Sequence, residues 1–323
     1  MKKFKIIKYK FLIISIIVFL CIFLLKLVLL YPNEYSNLKK NITIEIPKSS
    51  SLFEIVSILE NSNIINNKYA FIVYSFLSGK SKSLKAGEYL FNSETTNRDI
   101  LDKLYKNYVK LYKIIIPECY SNKQIHSLLQ KYFPDFKSLD NYEEGDFFPS
   151  TYFISKDTKI KNLLEIMKNK ANEEYSKIYA EYKGKTNKVL NSQKEVLILA
   201  SIVEAEAKLS KEKPKIASVF LNRLKIRMKI QSDPTVIYGI NKTVYKEKPL
   251  QKSDLLISHK WNTYIIYGLP PTPICNVGIE SFYAVLYPEK SENLYFVADG
   301  NGGHLFSETY KEHLKNIKRV YKK

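Results

Sequence analysis

Ser201-Ile-Val-Glu-Ala-Glu-Ala207 sets two carboxylates, Glu204 and Glu206, inside an otherwise apolar helical segment. Burying a carboxylate is costly unless it is paired or protonated, so a chain that only had to fold would gain little here. Ser192 followed by Glu195 reads as a capping box opening this helix. Residues two apart on a helix are separated by about 200° around its axis. The two carboxylates therefore cannot point into one cleft, which excludes the paired dyad of ordinary glycosidases. One of them facing an apolar-walled cleft would have a raised pKa and could act as a general acid near neutral pH. The opposing reading leaves both in solvent or paired with lysines such as Lys208.

Downstream, polar residues recur among Pro and Gly: Gln231-Ser-Asp-Pro-Thr235, Asn262-Thr-Tyr264, Gly268-Leu-Pro-Pro271 and Asp299-Gly-Asn-Gly-Gly-His304. Pro214 suits the first turn of a helix over 215–225. Asp233-Pro234 reads as an N-cap with proline at the first helical position, and Gly239 as the stop. Asn262 to Tyr264 offers amide, hydroxyl and aromatic groups suited to sugars, although the same residues form plain turns. Gly268 to Pro271 gives a rigid turn. The 299–303 turn lacks the Gly-Lys-Ser/Thr of a phosphate-binding loop and reads as a hairpin between 295–298 and 304–306, bringing His304 toward a site. A last helix over 309–321 puts Tyr310, Leu314, Ile317 and Tyr321 on one face.

Upstream, Ile42, Ile44 and Ile46 alternate as a strand ended by Pro47. Ser51 with Glu54 caps a helix to about Glu60, and a second helix covers 68–77. A strand over 87–91, a helix over 98–105 capped by Thr96, and a strand over 112–116 complete a small α+β module. It reads as a spacer or a carbohydrate-docking unit. A helix over 121–131, the aromatic turn Glu144-Gly-Asp-Phe-Phe-Pro-Ser-Thr-Tyr152, and a charged helix over 162–182 ending near Gly184 lead into the glutamate helix. The organisation is therefore a tail (1–10), an apolar span (11–31), a linker (32–41), the small module (42–116), a connecting helical region (117–190) and a final α+β domain (191–323).

Phe11 to Leu25 is apolar apart from one Ser, and after Lys26 the run continues to Tyr31. That approaches the roughly 20 residues a bilayer crossing needs, with Lys26 able to snorkel. Lys2, Lys3, Lys5, Lys8 and Lys10 precede it, so by the positive-inside rule the N-terminus stays cytoplasmic and the rest lies outside. A cleaved signal peptide fits less well, because no small-x-small site follows and the run is long for its apolar core. Cys21 is a poor lipoprotein site, with bulky Phe19 and Leu20 before it.

The chain of 323 residues has a net charge of +19, which suits nucleic acid, an anionic membrane or an acidic polymer, and equally a Lys-rich compositional bias. No zinc-finger spacing, RNP signature or basic helix supports nucleic acid. The three cysteines, Cys21, Cys119 and Cys275, make no metal-ligand spacing. The one available disulfide is Cys119–Cys275, and both thiols are expected to be free.

The order Ser-Ile-Val-Glu-x-Glu-Ala, Ala-Ser-Val-Phe-Leu-Asn-Arg-Leu, Gln-Ser-Asp-Pro-Thr-Val-x-Tyr-Gly, Asn-Thr-Tyr-x-x-x-Gly-Leu-Pro-Pro and Leu-Tyr-Phe-Val-Ala-Asp-Gly-x-Gly-Gly-His-x-Phe resembles the YceG-like endolytic murein transglycosylases. So do Glu144-Gly-x-Phe-Phe-Pro-x-Thr-Tyr and Lys85-Ala-Gly-x-Tyr upstream. The resemblance implies an α+β fold with an N-terminal transmembrane helix, a LysM-like module and a catalytic domain on the outer face of the membrane. It implies cleavage of nascent peptidoglycan between N-acetylmuramic acid and N-acetylglucosamine, leaving a 1,6-anhydro end, with no cofactor or metal. One glutamate serves as acid and then base, and the family's motif places it at Glu206. Motif membership makes Glu204, Asn222, Arg223, Gln231, Asp233, Thr235, Asn262, Tyr264 and His304 the candidate substrate-binding groups. Glycan strands and the membrane are the implied partners, with cell-wall synthesis enzymes as further candidates and nucleic acid excluded. The chain departs from the family at Cys119, where glycine is usual, at Ser150 for Asp and at Trp261 for Tyr. Two other readings remain, a non-catalytic glycan-binding scaffold and a hydrolase of the same polymer.

Overall fold

The computed structural model describes residues 2–182, 189–244 and 250–321, and the chain divides into two compact units. One comprises residues 1–113 with 153–158, the other 114–152 with 159–323.

The first unit begins with α1 (Lys2–Leu29). From Lys10 this helix is long and apolar enough to cross a bilayer, and its apolar side chains from Phe11 to Leu25 are not buried within the protein. Length and composition are shared by a membrane anchor and a signal sequence. Beyond it, β1 (Ile42–Ile46), α2 (Leu52–Asn61), α3 (Lys68–Leu77) and β2 (Gly87–Phe91) close on themselves, with β1 antiparallel to β2 and Ile42 opposite Phe91. Alternation puts Ile44, Ile46, Tyr89 and Phe91 on the inner face. There they meet Val56 and Leu59 of α2, Phe71 of α3, and Ile100, Leu101 and Leu104 of α4 (Asn97–Lys106). Capping boxes at Ser51/Glu54 and Thr96/Asp99 start α2 and α4 by satisfying N–H groups the helix leaves open.

A strand pair, β3 (Tyr112–Ile115) with β4 (Thr151–Ile154), makes a strand of residues that read as the end of an aromatic turn. In the second unit α5 (Asn122–Leu129) and α6 (Ile160–Tyr182) precede α7 (Gln193–Glu206). The expected stop near Gly184 lies outside the described residues. Helix α7 is the axis of the core, with Val196, Leu199, Ala200, Ile202 and Val203 all buried. Around it pack α6, α8 (Lys213–Lys225), α9 (Asp233–Asn241) and α10 (Ile279–Leu286). A hairpin of β5 (Tyr295–Ala298) and β6 (His304–Ser307) and the helix α11 (Tyr310–Tyr321) end the unit.

Several expectations need correction. Cys119 and Cys275, expected free, form a disulfide across 156 positions with their Cα atoms 4.8 Å apart. Asp233 is not the cap of α9 but its first residue; Ser232 holds the N-cap position. Gly239 does not stop α9, which ends two residues later with Lys242 in the left-handed conformation. Its lack of a side chain instead admits the His259 ring, which a Cβ there would overlap. At α7, Ser192 caps Glu195 as expected, but the Glu195 carboxylate reaches one residue further back, to the Asn191 N–H at 2.6 Å. Along α11 the less exposed positions are His313, Asn316, Ile317 and Val320, while Tyr310, Leu314 and Tyr321 are exposed.

Candidate active site

The rotation between Glu204 and Glu206 is realised as two separate environments. Glu204 is buried, its Oε1 3.0 Å from the Lys213 ammonium at the start of α8 and its Oε2 accepting the Gly278 N–H at 2.9 Å. Gly278 has no side chain because Glu118 lies against it. Lys213 also approaches Glu118 at 3.6 Å and Glu280 at 3.5 Å. Burial opposes its charge, but Glu204 and the two further carboxylates outweigh that and raise its pKa. Glu204 is thus the keel of an ion pair joining α7, α8 and the loop before α10.

Glu206, in the last turn of α7, is half-buried, and its Oε1 accepts the Ser232 hydroxyl at 2.6 Å. Beside it, the Tyr264 hydroxyl donates to Asp233 Oδ1 at 2.8 Å. Burial raises the Tyr264 pKa, and Asp233 and the Glu206 charge add to the effect. Arg223 is buried on α8, its Nε donating to Leu294 O at 2.7 Å and its Nη1 to Ile230 O at 2.5 Å. Its guanidinium lies over the Tyr295 ring. Burial pulls the Arg223 pKa down, while Tyr295, Tyr264 and Glu206 act the other way. Glu206, Ser232, Asp233, Tyr264 and Arg223 therefore form one interacting group drawn from α7, the start of α9, the 262–264 turn and α8.

The other candidates are engaged elsewhere. Thr235 is buried, its hydroxyl donating to Ser232 O at 2.6 Å and lying 2.8 Å from Thr263 Oγ1. Asn262 shapes its own loop: its Nδ2 donates to Leu255 O at 2.9 Å and Ile257 O at 2.8 Å, and its Oδ1 accepts the Tyr264 N–H. Asn222 holds the 291–293 turn through Ser291 O and Asn293 O. It lines a cavity of about 1080 Å³ whose walls include neither Glu206 nor Ser232. Gln231 is exposed with a left-handed φ of 53°. His304 turns to Glu212, its Nδ1 2.8 Å from Oε2 and its N–H donating to Oε1.

Ser232 and Lys213 were not singled out from the sequence. The serine sits inside a quoted motif but reads there as part of a helix start. The lysine has no local signal, since its partner Glu204 is nine residues away on the preceding helix and no helical spacing links the two. Among the described residues no three His, Cys, Asp or Glu side chains cluster as a metal site would require. Chemically, the arrangement offers one oriented carboxyl that can give and take a proton, beside a buried cation and a tyrosine–aspartate pair.

Comparison with known proteins gives a consistent result. The model of the YceG-like family matches residues 44–319. An endolytic murein transglycosylase of Bacillus subtilis (strain 168) is 35% identical over 321 residues, covering 89% of this chain and 86% of that protein. The endolytic murein transglycosylase of Streptococcus pneumoniae (strain D39) is 28% identical, covering 87% of this chain but 59% of that longer protein. The crystal structure of a YceG-like protein from Listeria monocytogenes superposes with a TM-score of 0.58 at 32% identity, over 86% of this chain and 99% of that one.

Proposed function

The chain belongs to the YceG-like family, and from that premise we propose that it is an endolytic murein transglycosylase whose acid and base is Glu206. Protonated Glu206 gives its proton to the glycosidic oxygen between N-acetylmuramic acid and N-acetylglucosamine as the C1–O bond breaks. The resulting carboxylate then takes the proton of the muramic C6 hydroxyl, whose oxygen bonds to C1 and closes the 1,6-anhydro ring. No water is consumed and Glu206 ends protonated. One carboxyl suffices, in keeping with Glu204 being committed to Lys213.

The observation that carries this reading is the half-buried Glu206 carboxyl held by Ser232, within reach of the charge of Arg223 and the Tyr264–Asp233 pair. Asp233, Tyr264 and Arg223 are the nearest candidates for contacting the sugar. Thr235 and Asn262 hold the segments that carry Ser232 and Tyr264, whereas the side chains of Asn222, Gln231 and His304 lie in other surroundings. The closed β–α–α–β order of residues 42–91, with its own core, supports reading that segment as a LysM-like glycan-docking module. The lysines before the apolar helix support an anchored chain with its catalytic unit outside the membrane. So does the disulfide, because such bonds persist in oxidising compartments.

The test is digestion of purified glycan strands by the detergent-solubilised full chain and by Glu206→Gln, with the new ends weighed by mass spectrometry. Wild type should produce anhydro-muramyl ends and the variant none. Ends carrying an added water would make the protein a hydrolase, no cleavage would leave a scaffold, and an active Glu206→Gln would remove Glu206 from its role. Protease digestion of intact and lysed spheroplasts or protoplasts checks the orientation: cleavage of the 32–323 segment only after lysis would sink it.

A further inference from the structure

Ser232 stands at the N-cap position of α9 with extended backbone angles, yet its side chain makes no bond to the first N–H groups of that helix. A serine there ordinarily caps, with its oxygen accepting from the second or third helical N–H. Here the hydroxyl is turned away and donates to Glu206 Oε1 at 2.6 Å. The backbone that aims it is fixed from both sides. Ser232 N donates to Thr263 Oγ1 at 3.0 Å, and Ser232 O accepts the Thr235 hydroxyl at 2.6 Å. The two threonine oxygens lie 2.8 Å apart, and Ser232, Thr235 and Thr263 are all essentially inaccessible to solvent. Three buried hydroxyls thus form a cradle with one outlet, the glutamate.

We propose that Ser232 is a positioning residue for the acid and base of the reaction: its hydroxyl, bonded to Oε1 of Glu206, fixes the plane of the carboxyl that passes its proton to the glycosidic oxygen. The inference rests on the assignment of Glu206 above. A donor bonded to a carboxylate stabilises its charged form, so Ser232 also helps Glu206 give up its proton. Arg223 on α8 and Tyr264 in the turn after Asn262 also sense the Glu206 charge, and Tyr264 is bonded in turn to Asp233.

The experiment compares Ser232→Ala and Ser232→Cys with wild type and Glu206→Gln, all as full-length protein in detergent, on purified glycan strands across pH. For Ser232→Ala the expected result is a fall in kcat of roughly 10- to 100-fold with KM within about twofold, the range of a hydrogen bond to a charged group. The alkaline limb of the rate profile should move up by about one pH unit, because Glu206 without its donor keeps its proton longer. The thermal midpoint should change little, since no helix cap is lost. Ser232→Cys, nearly the same size but a poorer donor, should fall between. A folded Ser232→Ala with the wild-type rate, or with a rate loss and an unmoved alkaline limb, overturns the proposal while an inactive Glu206→Gln leaves the assignment of Glu206 standing. If the alanine variant does not fold, the cysteine variant decides by the same limb. An active Glu206→Gln removes the premise and the proposal together.

Discussion

Glu144, from the aromatic turn, is a buried carboxyl outside the group around Glu206, and burial pushes its pKa up to about 7. The Asn122 N–H at 2.6 Å, the Tyr238 hydroxyl at 2.9 Å and the charge of Lys242 act against that rise without cancelling it. Between its ordinary value of 4.5 and about 7 the folded protein keeps this proton while the unfolded chain has lost it. The stabilisation is therefore complete below pH 4.5 and drains away as the pH rises to about 7. It amounts to about 3 kcal/mol at most. Glu144→Gln cannot titrate, so its urea midpoint should fall less with pH across that window than the wild-type midpoint does. Parallel curves for the two proteins would show that Glu144 does not hold its proton. The same residue shows how a motif can be legible and its role hidden: the Glu-Gly-x-Phe-Phe-Pro run stands out in the sequence, but the partners that bury Glu144 come from α5, α9 and Asn276.

At the scale of elements, α7 is joined to its neighbours by Glu204. Removing Lys213 leaves that carboxylate buried without its cation, a loss of roughly 3–5 kcal/mol for a buried pair. Lys213→Met should lower the urea unfolding free energy by that order, and Glu204→Gln in the same background should recover part of it. A cost below about 1 kcal/mol for Lys213→Met would mean the pair is solvated in solution. Elements with local signals were legible in the sequence. The starts of α2, α4 and α7 carry Ser or Thr with an acidic residue three positions on, and β1 and β2 fall on the bounds their apolar patterns set. Helix α10 was missed because it is eight residues long and its N-cap is Gly278, which has no side chain to give a cap signal. Likewise Thr151–Ile154 is a strand only because β3 is there to pair with it. The glutamate pair could be separated by helical rotation alone. Which member met Lys213 and which met Ser232 depended on residues 9 to 74 positions away in sequence, and no periodicity carries that.

Over the whole molecule, the Cys119–Cys275 bond is the covalent counterpart of this long-range packing. It joins the segment after β3 to the loop before α10, and that loop supplies the Gly278 N–H to Glu204. Cys119 adopts a left-handed φ of 57°, a conformation that favours glycine. The chain thus accepts a backbone cost at Cys119 and gains a cross-link, which restricts the unfolded ensemble over a separation of 156 residues. Such a bond is worth roughly 2–5 kcal/mol. The urea midpoint of the wild-type protein should therefore drop on addition of reductant, whereas a Cys119→Gly, Cys275→Ala double variant should start lower and ignore reductant. Because Cys21 is the remaining free cysteine, a thiol assay on denatured, unreduced protein should find one reactive thiol per chain. Three thiols, together with a midpoint that reductant leaves unchanged, would show that the bond does not form, and the support it lends to an oxidising, extracytoplasmic location would go with it.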